Sequence, residues 1–444
     1  MTPPAAVATM PPHGSGAVFA RMGRNVLWIV GGRGFQAVAS LAYLGLAARA
    51  LGFQGFGAFS LVLAYGQAIA NIAQFQSWQT VIRYGMHHLA RDRRERLGRL
   101  LGLTTMVDCL GALAGAAIAG LAVAAAGAWL AWSIAEQRQA AWFGIALLLS
   151  IGATPTGMLR LVDRFDLITY CQAVGPFVRL VGSIACWVAK ADIGTFLAVW
   201  AGAALLQHAT TWIVALLHAG MRISIGPYRL ARAIRENRGI WRFMFVTNAA
   251  GSIGLLTEQL ATLAVGGAAG AGAAGGFRIA AKVARALARP VQIAGKVLYP
   301  ELARLHARDD HATLDHVVTR TSRISLGLAV AIIMIAIVGG SQLIHILAGD
   351  GYGFAHGLLV ILAVGVALDL SGFALEPLLT AHGRADRVLV IRLCGAATFG
   401  ALLLALLPSL GATAAAIATT GASLVMRIQL SRGVARLGTT QNGN

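Results

Sequence analysis

Twelve runs of predominantly apolar residues, separated by short polar connectors, set the pattern of this chain. They lie at 26–46, 59–82, 100–122, 141–159, 171–189 and 195–217, then at 241–265, 275–299, 324–347, 358–381, 388–407 and 412–430. Each is close to the roughly 20 residues a helix needs to cross a hydrocarbon core. In a bilayer only a segment that satisfies its own backbone hydrogen bonds is stable, so each run predicts a transmembrane α-helix. Six precede and six follow a basic cytoplasmic connector at 220–240, which divides the chain into an N-terminal lobe at 25–219 and a C-terminal lobe at 241–432. Residues 1–24 and 433–444 are expected to be cytoplasmic tails. The first is rich in Pro, Ala and Gly and is read as disordered; it lacks the basic start and apolar core of a signal peptide.

The connectors alternate in charge. One set carries Arg83, Arg91, Arg93, Arg94, Arg96 and Arg99, then Arg160 and Arg164, then Arg222, Arg229, Arg232, Arg235, Arg238 and Arg242. It continues with Arg304, Arg308, Arg320 and Arg323, with Arg384, Arg387 and Arg392, and with the tail residues Arg21, Arg24, Arg427, Arg432 and Arg436. The alternate connectors hold Arg49, Arg138 and Lys190, which makes 26 basic residues against 3. That asymmetry places both termini in the cytoplasm.

One span departs from the apolar pattern. The run at 275–299 carries Arg278, Lys282, Arg285, Arg289 and Lys296. At 3.6 residues per turn these fall at about 0°, 40°, −20°, 20° and 0°, one stripe about 60° wide. From Arg278 to Lys296 the rise is about 27 Å, nearly the depth of the hydrocarbon. Such a helix could lie flat on an anionic surface, but deleting it as a span inverts the polarity of every later connector. It therefore crosses, and its cations must face a wet cavity or acidic partners. Pro290 interrupts the stripe and predicts a kink; Gln292 lies at its edge, at about −40°.

Composition agrees with the pattern. The chain is 57% hydrophobic and 12% charged, with a mean hydropathy of +0.71, so it is a polytopic all-α membrane protein. A net charge of +19 would suggest nucleic acid in a soluble domain. Here the charge sits in short connectors, and no nucleic-acid partner is expected. Cys109, Cys171, Cys186 and Cys394 fall inside spans without metal-like spacing, so neither a disulfide nor a metal site is implied. Neither a Walker A sequence nor a nucleophile elbow nor a zinc-protease motif occurs, and the glycine-rich run at 265–276 links two membrane helices rather than a strand and a helix. No connector is long enough for a catalytic domain, and no catalytic residue or bound cofactor is expected.

Other polar residues lie at membrane depth: Arg33, Gln36, Asp108, Arg179, Glu258, Asp369 and Glu376. Arg278, Lys282, Arg285, Arg289, Arg33 and Arg179 form the candidate substrate-binding set, since guanidinium and ammonium groups bind anions strongly in a low dielectric. Glu258, Asp108 and Asp369 are candidates for a coupling ion, H⁺ or Na⁺. The competing reading for each acid is an internal pair that closes the bundle. Asp369 and Glu376, seven residues apart, are expected on one helical face, with Glu376 near the cytoplasmic end and reaching water.

The stretch 48–84 resembles the opening of Wzx-type O-antigen flippases, of the polysaccharide transporter branch of the MOP (MATE-like) exporter superfamily. The matching residues are Ala48, Arg49, Leu51 and Gly52 at the end of span one, Gly55, Phe56 and Gly57 at the start of span two, and Arg83 and Tyr84 at its close. A second match is Gly275, Gly276, Phe277, Arg278, Ile279 and Ala280 opening span eight, with Pro300 ending it. The sequence Phe75-Gln76-Ser77-Trp78 departs from the family's usual glycine-leucine-type stretch.

The resemblance implies two six-helix lobes that rock about a central cavity in the bacterial inner membrane. It implies an undecaprenyl-diphosphate-linked oligosaccharide, an O-antigen or exopolysaccharide repeat unit, as substrate. Membrane lipids and polysaccharide polymerase machinery would be its partners. The alternatives are a MATE-like cation-coupled antiporter of small molecules, which would want an acidic cavity, and a non-transporting scaffold of a polysaccharide synthase complex. Charges inside the spans speak against a scaffold.

Overall fold

The computed structural model describes the backbone of residues 15–307, 311–372, 375–376, 379 and 385–441, and the side chains at 31, 34–249, 251–289, 325–372, 375–376, 379 and 387–434. Among them all regular secondary structure is helical. The helices are α1 (Ser15–Ala73), α2 (Ser77–Leu89), α3 (Arg94–Trp129), α4 (Ile134–Leu149), α5 (Thr154–Leu161), α6 (Phe165–Val188) and α7 (Ile193–His218). After α8 (Pro227–Glu236) come α9 (Ile240–Ala269), α10 (Ala271–Ala307), α11 (His311–Ala348), α12 (Ala355–Ser371), α13 (Ala385–Leu410) and α14 (Ala412–Gln441). Seven segments among the described residues are long and apolar enough to cross a membrane on their own composition.

The expected spans map onto these helices with three corrections. Helix α1 holds the first two of them as two helices joined at a kink, where Gly52 takes a non-helical backbone (φ 68°, ψ −177°); that backbone favours glycine, which has no Cβ to clash. Helix begins at Ser15, so residues 15–24 are not disordered as expected, and at the other end it runs on to Gln441. The second span is interrupted between Ala73 and Ser77, at the sequence that departs from the family pattern, and the fourth between Leu149 and Thr154. Finally, α12 ends at Ser371, so Asp369 and Glu376 do not share one helical face.

Apolar spans have little to gain from one another by leaving lipid, so close approach of small residues holds them together. Ala47, Ala64, Ala274, Ala280, Ala288 and Ala415 are wholly buried at these contacts. Larger anchors sit between them: Phe59 stacks edge-on against Trp200 at 5.1 Å, and Tyr43 against the same indole at 5.3 Å. The arginine-rich connector docks on the first lobe. Arg99 pairs with Glu236 of α8 at 2.7 Å, and the Ser224 amide donates to the Gly98 carbonyl at 3.0 Å.

The two lobes meet chiefly along α1 and α10, and they are closed at the end that bears the bare connectors. There Phe53 lies 5.5 Å from Tyr352 and 6.0 Å from Phe354, while Phe56 meets Tyr352 edge-on at 6.2 Å. Arg49 donates to the carbonyls of Ile346 at 2.6 Å and His345 at 3.3 Å, capping the last turn of α11 from the opposite lobe. Gly57 lies so close to α10 that a Cβ there would overlap the carbonyl group of Ala271. Gly57→Leu is therefore expected to wedge this end open. Spin labels at positions 192 and 351, in a background lacking the four native cysteines, should show a lengthened distance; an unchanged distribution refutes the wedge.

Candidate functional site

The cationic helix is where the sequence pattern predicts it, and its backbone stays helical through Pro290. Its apolar residues Phe277, Ile279, Ala280, Val283 and Ala284 are buried against neighbours. That packing leaves the stripe of basic residues only one direction to point. Arg278 reaches across the lobe interface, where its Nη2 donates to Oε1 of Gln67 on α1 at 3.3 Å. Tyr43, also on α1, lies in the field of Lys282, Arg179 of α6 and Arg278. Lys282 in turn has Arg278, Arg289 and Arg179 for neighbours. Residues far apart in sequence thus assemble one group of positive charges between the lobes.

Arg285 behaves differently. It forms an ion pair with Glu258 of α9, and the two side chains are about equally exposed, 34% and 35%. Both line a cavity of about 440 Å³ inside the second lobe, bounded by α9, α10, α12, α13 and α14. Asp369 projects into the same space, near the Ser423 side chain. Glu376 does not merely reach water as expected; it accepts from Nη2 of Arg392 at 2.6 Å. Arg427 completes the lining, its Nε donating to Oγ of Ser371 at 2.9 Å. The stripe therefore fronts two compartments. Arg278 and Lys282 face the N-terminal lobe across the interface, and Arg285 turns to an acid of its own lobe.

Asp108 is placed away from both. It is 5% exposed and accepts from Ser77 Oγ at 2.5 Å, from the backbone amides of Ala153 and Thr154 at 3.1 and 3.2 Å, and from Thr154 Oγ1 at 2.7 Å. Ser77 opens α2 and Thr154 opens α5, so one carboxylate takes up the first amides of α5 and ties the Ser77 hydroxyl of α2 to them. Asp108 thus joins the two restarts across the bundle. Gln36 donates to the Gln172 carbonyl at 3.4 Å. The side chains of Arg33, Lys296, Pro290 and Gln292 lie outside the described residues.

Four polar contributors escape the sequence reading. Arg392 and Arg427 read as connector charges, although each falls inside an expected span, at 388–407 and 412–430, and that position is the available signal. Gln67 offers the same signal, a polar amide in mid-span. Tyr43 offers none, because an aromatic in a membrane helix is ordinary.

Comparison with known proteins places these features. Residues 104–355 match a family model described as polysaccharide biosynthesis protein. The inner membrane protein YghQ of Escherichia coli (strain K12) is 28% identical over 342 residues, 76% of this chain and 95% of that protein. Among solved structures, a multidrug resistance MATE family transporter of the MOP superfamily, in an inward-facing conformation, superposes with a TM-score of 0.71 at 14% identity, over 92% of this chain and 96% of that one. The lipid II flippase MurJ, in an inward closed conformation, superposes with a TM-score of 0.68 at 10% identity, over 92% and 87%. The all-helical, two-lobed membrane fold is common to these structures.

Proposed function

The chain belongs to the polysaccharide biosynthesis protein family, and from that membership we infer that it moves a lipid-linked oligosaccharide across the bacterial inner membrane. The substrate proposed is a repeat unit carried on undecaprenyl diphosphate, passed from the cytoplasmic to the outer leaflet by alternating access of the two lobes. One observation carries the reading: Arg179 from the first lobe and Arg278 and Lys282 from the second gather around Tyr43. A diphosphate brings several negative oxygens, and guanidinium forks bind such oxygens bidentately where water is scarce. The headgroup would sit between the lobes on Arg278, Lys282 and Arg179, with Arg289 and Arg33 extending the path, while the prenyl chain stays in lipid. A fold resembling that of a lipid II flippase is consistent with such cargo. An antiporter of cationic drugs is disfavoured, because its substrate would meet like charges.

In this reading the arginine-rich connectors are cytoplasmic, so the closed, bare end faces outward. The lobes then await substrate from inside. The test is complementation of flippase-null bacteria that build several different glycans. Wild type is expected to restore surface polysaccharide and to clear the accumulated lipid-linked intermediate in at least one of them. Failure in every host, with the protein present in the membrane, would falsify the proposal.

A further inference from the structure

The Arg285–Glu258 pair bears on how cargo and protons could be linked, resting on the function proposed above. The cavity of the second lobe is lined by three carboxylates, Glu258, Asp369 and Glu376, and three guanidiniums, Arg285, Arg392 and Arg427. Glu376 and Arg392 hold each other, and Arg427 bonds to Ser371. Asp369 has the neutral Ser423 hydroxyl near it. Neither α1 nor α2, which also pack on α9, contributes a charged residue to the lining among the described residues. Arg285 is thus the cation that Glu258 depends on, and it is also a member of the anion-binding stripe. At about −20° on the wheel it sits on the edge nearer the second lobe, with Lys282 at about 40° on the other.

We propose that Glu258 is a built-in competitor for the substrate's diphosphate, and that the exchange of Arg285 from Glu258 to the diphosphate is coupled to protonation of Glu258. When a diphosphate draws Arg285 into the central cavity, the lining is left with one uncompensated negative charge. A carboxylate stranded at membrane depth is held at least cost as the neutral acid. The proton comes from water, binds a Glu258 oxygen, and is released when Arg285 returns. Occupancy by cargo and proton uptake are then a single exchange, with the ion pair marking the empty carrier.

The test is isothermal titration of the purified full chain in lipid nanodiscs with farnesyl diphosphate, at pH 8, where the probe is already fully ionised. Two buffers of different ionisation enthalpy report the protons taken up. Wild type should take up about one proton per diphosphate bound. Glu258→Gln should take up none and bind about tenfold more tightly, since Arg285 is then free in every molecule. Arg285→Ala should bind more weakly and take up none. If wild type binds but Glu258→Gln is no tighter and uptake is unaltered, the exchange is wrong while the anion site stands. If no variant binds the probe, the proposed function itself fails and the exchange falls with it.

Discussion

Arg278→Ala is expected to abolish export while leaving the protein folded. Arg278 is half-buried between the lobes, and the partner the structure gives it is a neutral amide, Gln67, at 3.3 Å. Arg179 and Lys282 lie close by with the same sign. A cation so placed suffers desolvation and like-charge repulsion in the empty carrier. Removing it relieves both, so thermal stability in detergent should hold or rise. Function goes the other way. Each charge-assisted hydrogen bond to a phosphate oxygen is worth about 1.5–3 kcal/mol, and a fork makes two. Losing about 3 kcal/mol or more corresponds to a factor of about 10² or more. Arg278→Lys keeps the charge without the fork and should fall between. The measurement is surface polysaccharide and trapped lipid-linked intermediate at matched membrane levels, with a melting curve of the same purified variants. Export lost in proportion to protein lost would assign Arg278 to the scaffold instead.

Much of this was legible in the chain because membranes simplify the problem. With no water to hydrogen-bond the backbone, an apolar run of sufficient length has one outcome, and the arginine asymmetry set the order of connectors. The stripe was readable because its period is that of the helix. Partnership was not legible. Glu258 and Arg285 lie 27 positions apart, and no periodicity distinguishes an acid that neutralises the stripe from one that stands alone. Arg392 and Arg427 look like connector charges until the lobe closes around them. The helix breaks are hidden for a related reason. The residues between Ala73 and Ser77 and between Leu149 and Thr154 give no sign of a joint until a carboxylate from a third helix takes up the Ser77 hydroxyl and the first amides of α5.

That carboxylate carries the other large expected effect, on stability rather than binding. Asp108→Ala would leave four donors without their acceptor: the hydroxyls of Ser77 and Thr154 and the amides of Ala153 and Thr154. Each stranded buried group costs about 1–3 kcal/mol, so the sum is several kcal/mol and the melting temperature should fall by several degrees or the protein fail to accumulate. Asp108→Asn retains one acceptor oxygen and the shape, and either hydroxyl can turn to accept from the new amide. It should therefore lose much less stability, and Ser77→Ala, which leaves Oδ1 of Asp108 without that donor, should cost about 1–3 kcal/mol, still less than the alanine at 108. The same series separates the joint from the coupling-ion role proposed for Asp108 on sequence alone. If Asp108 only holds the broken spans, export by the asparagine variant should follow the amount of folded protein. An asparagine variant that is as stable as wild type yet cannot export would show that the carboxylate's charge, and not its hydrogen bonds, is what the transporter uses.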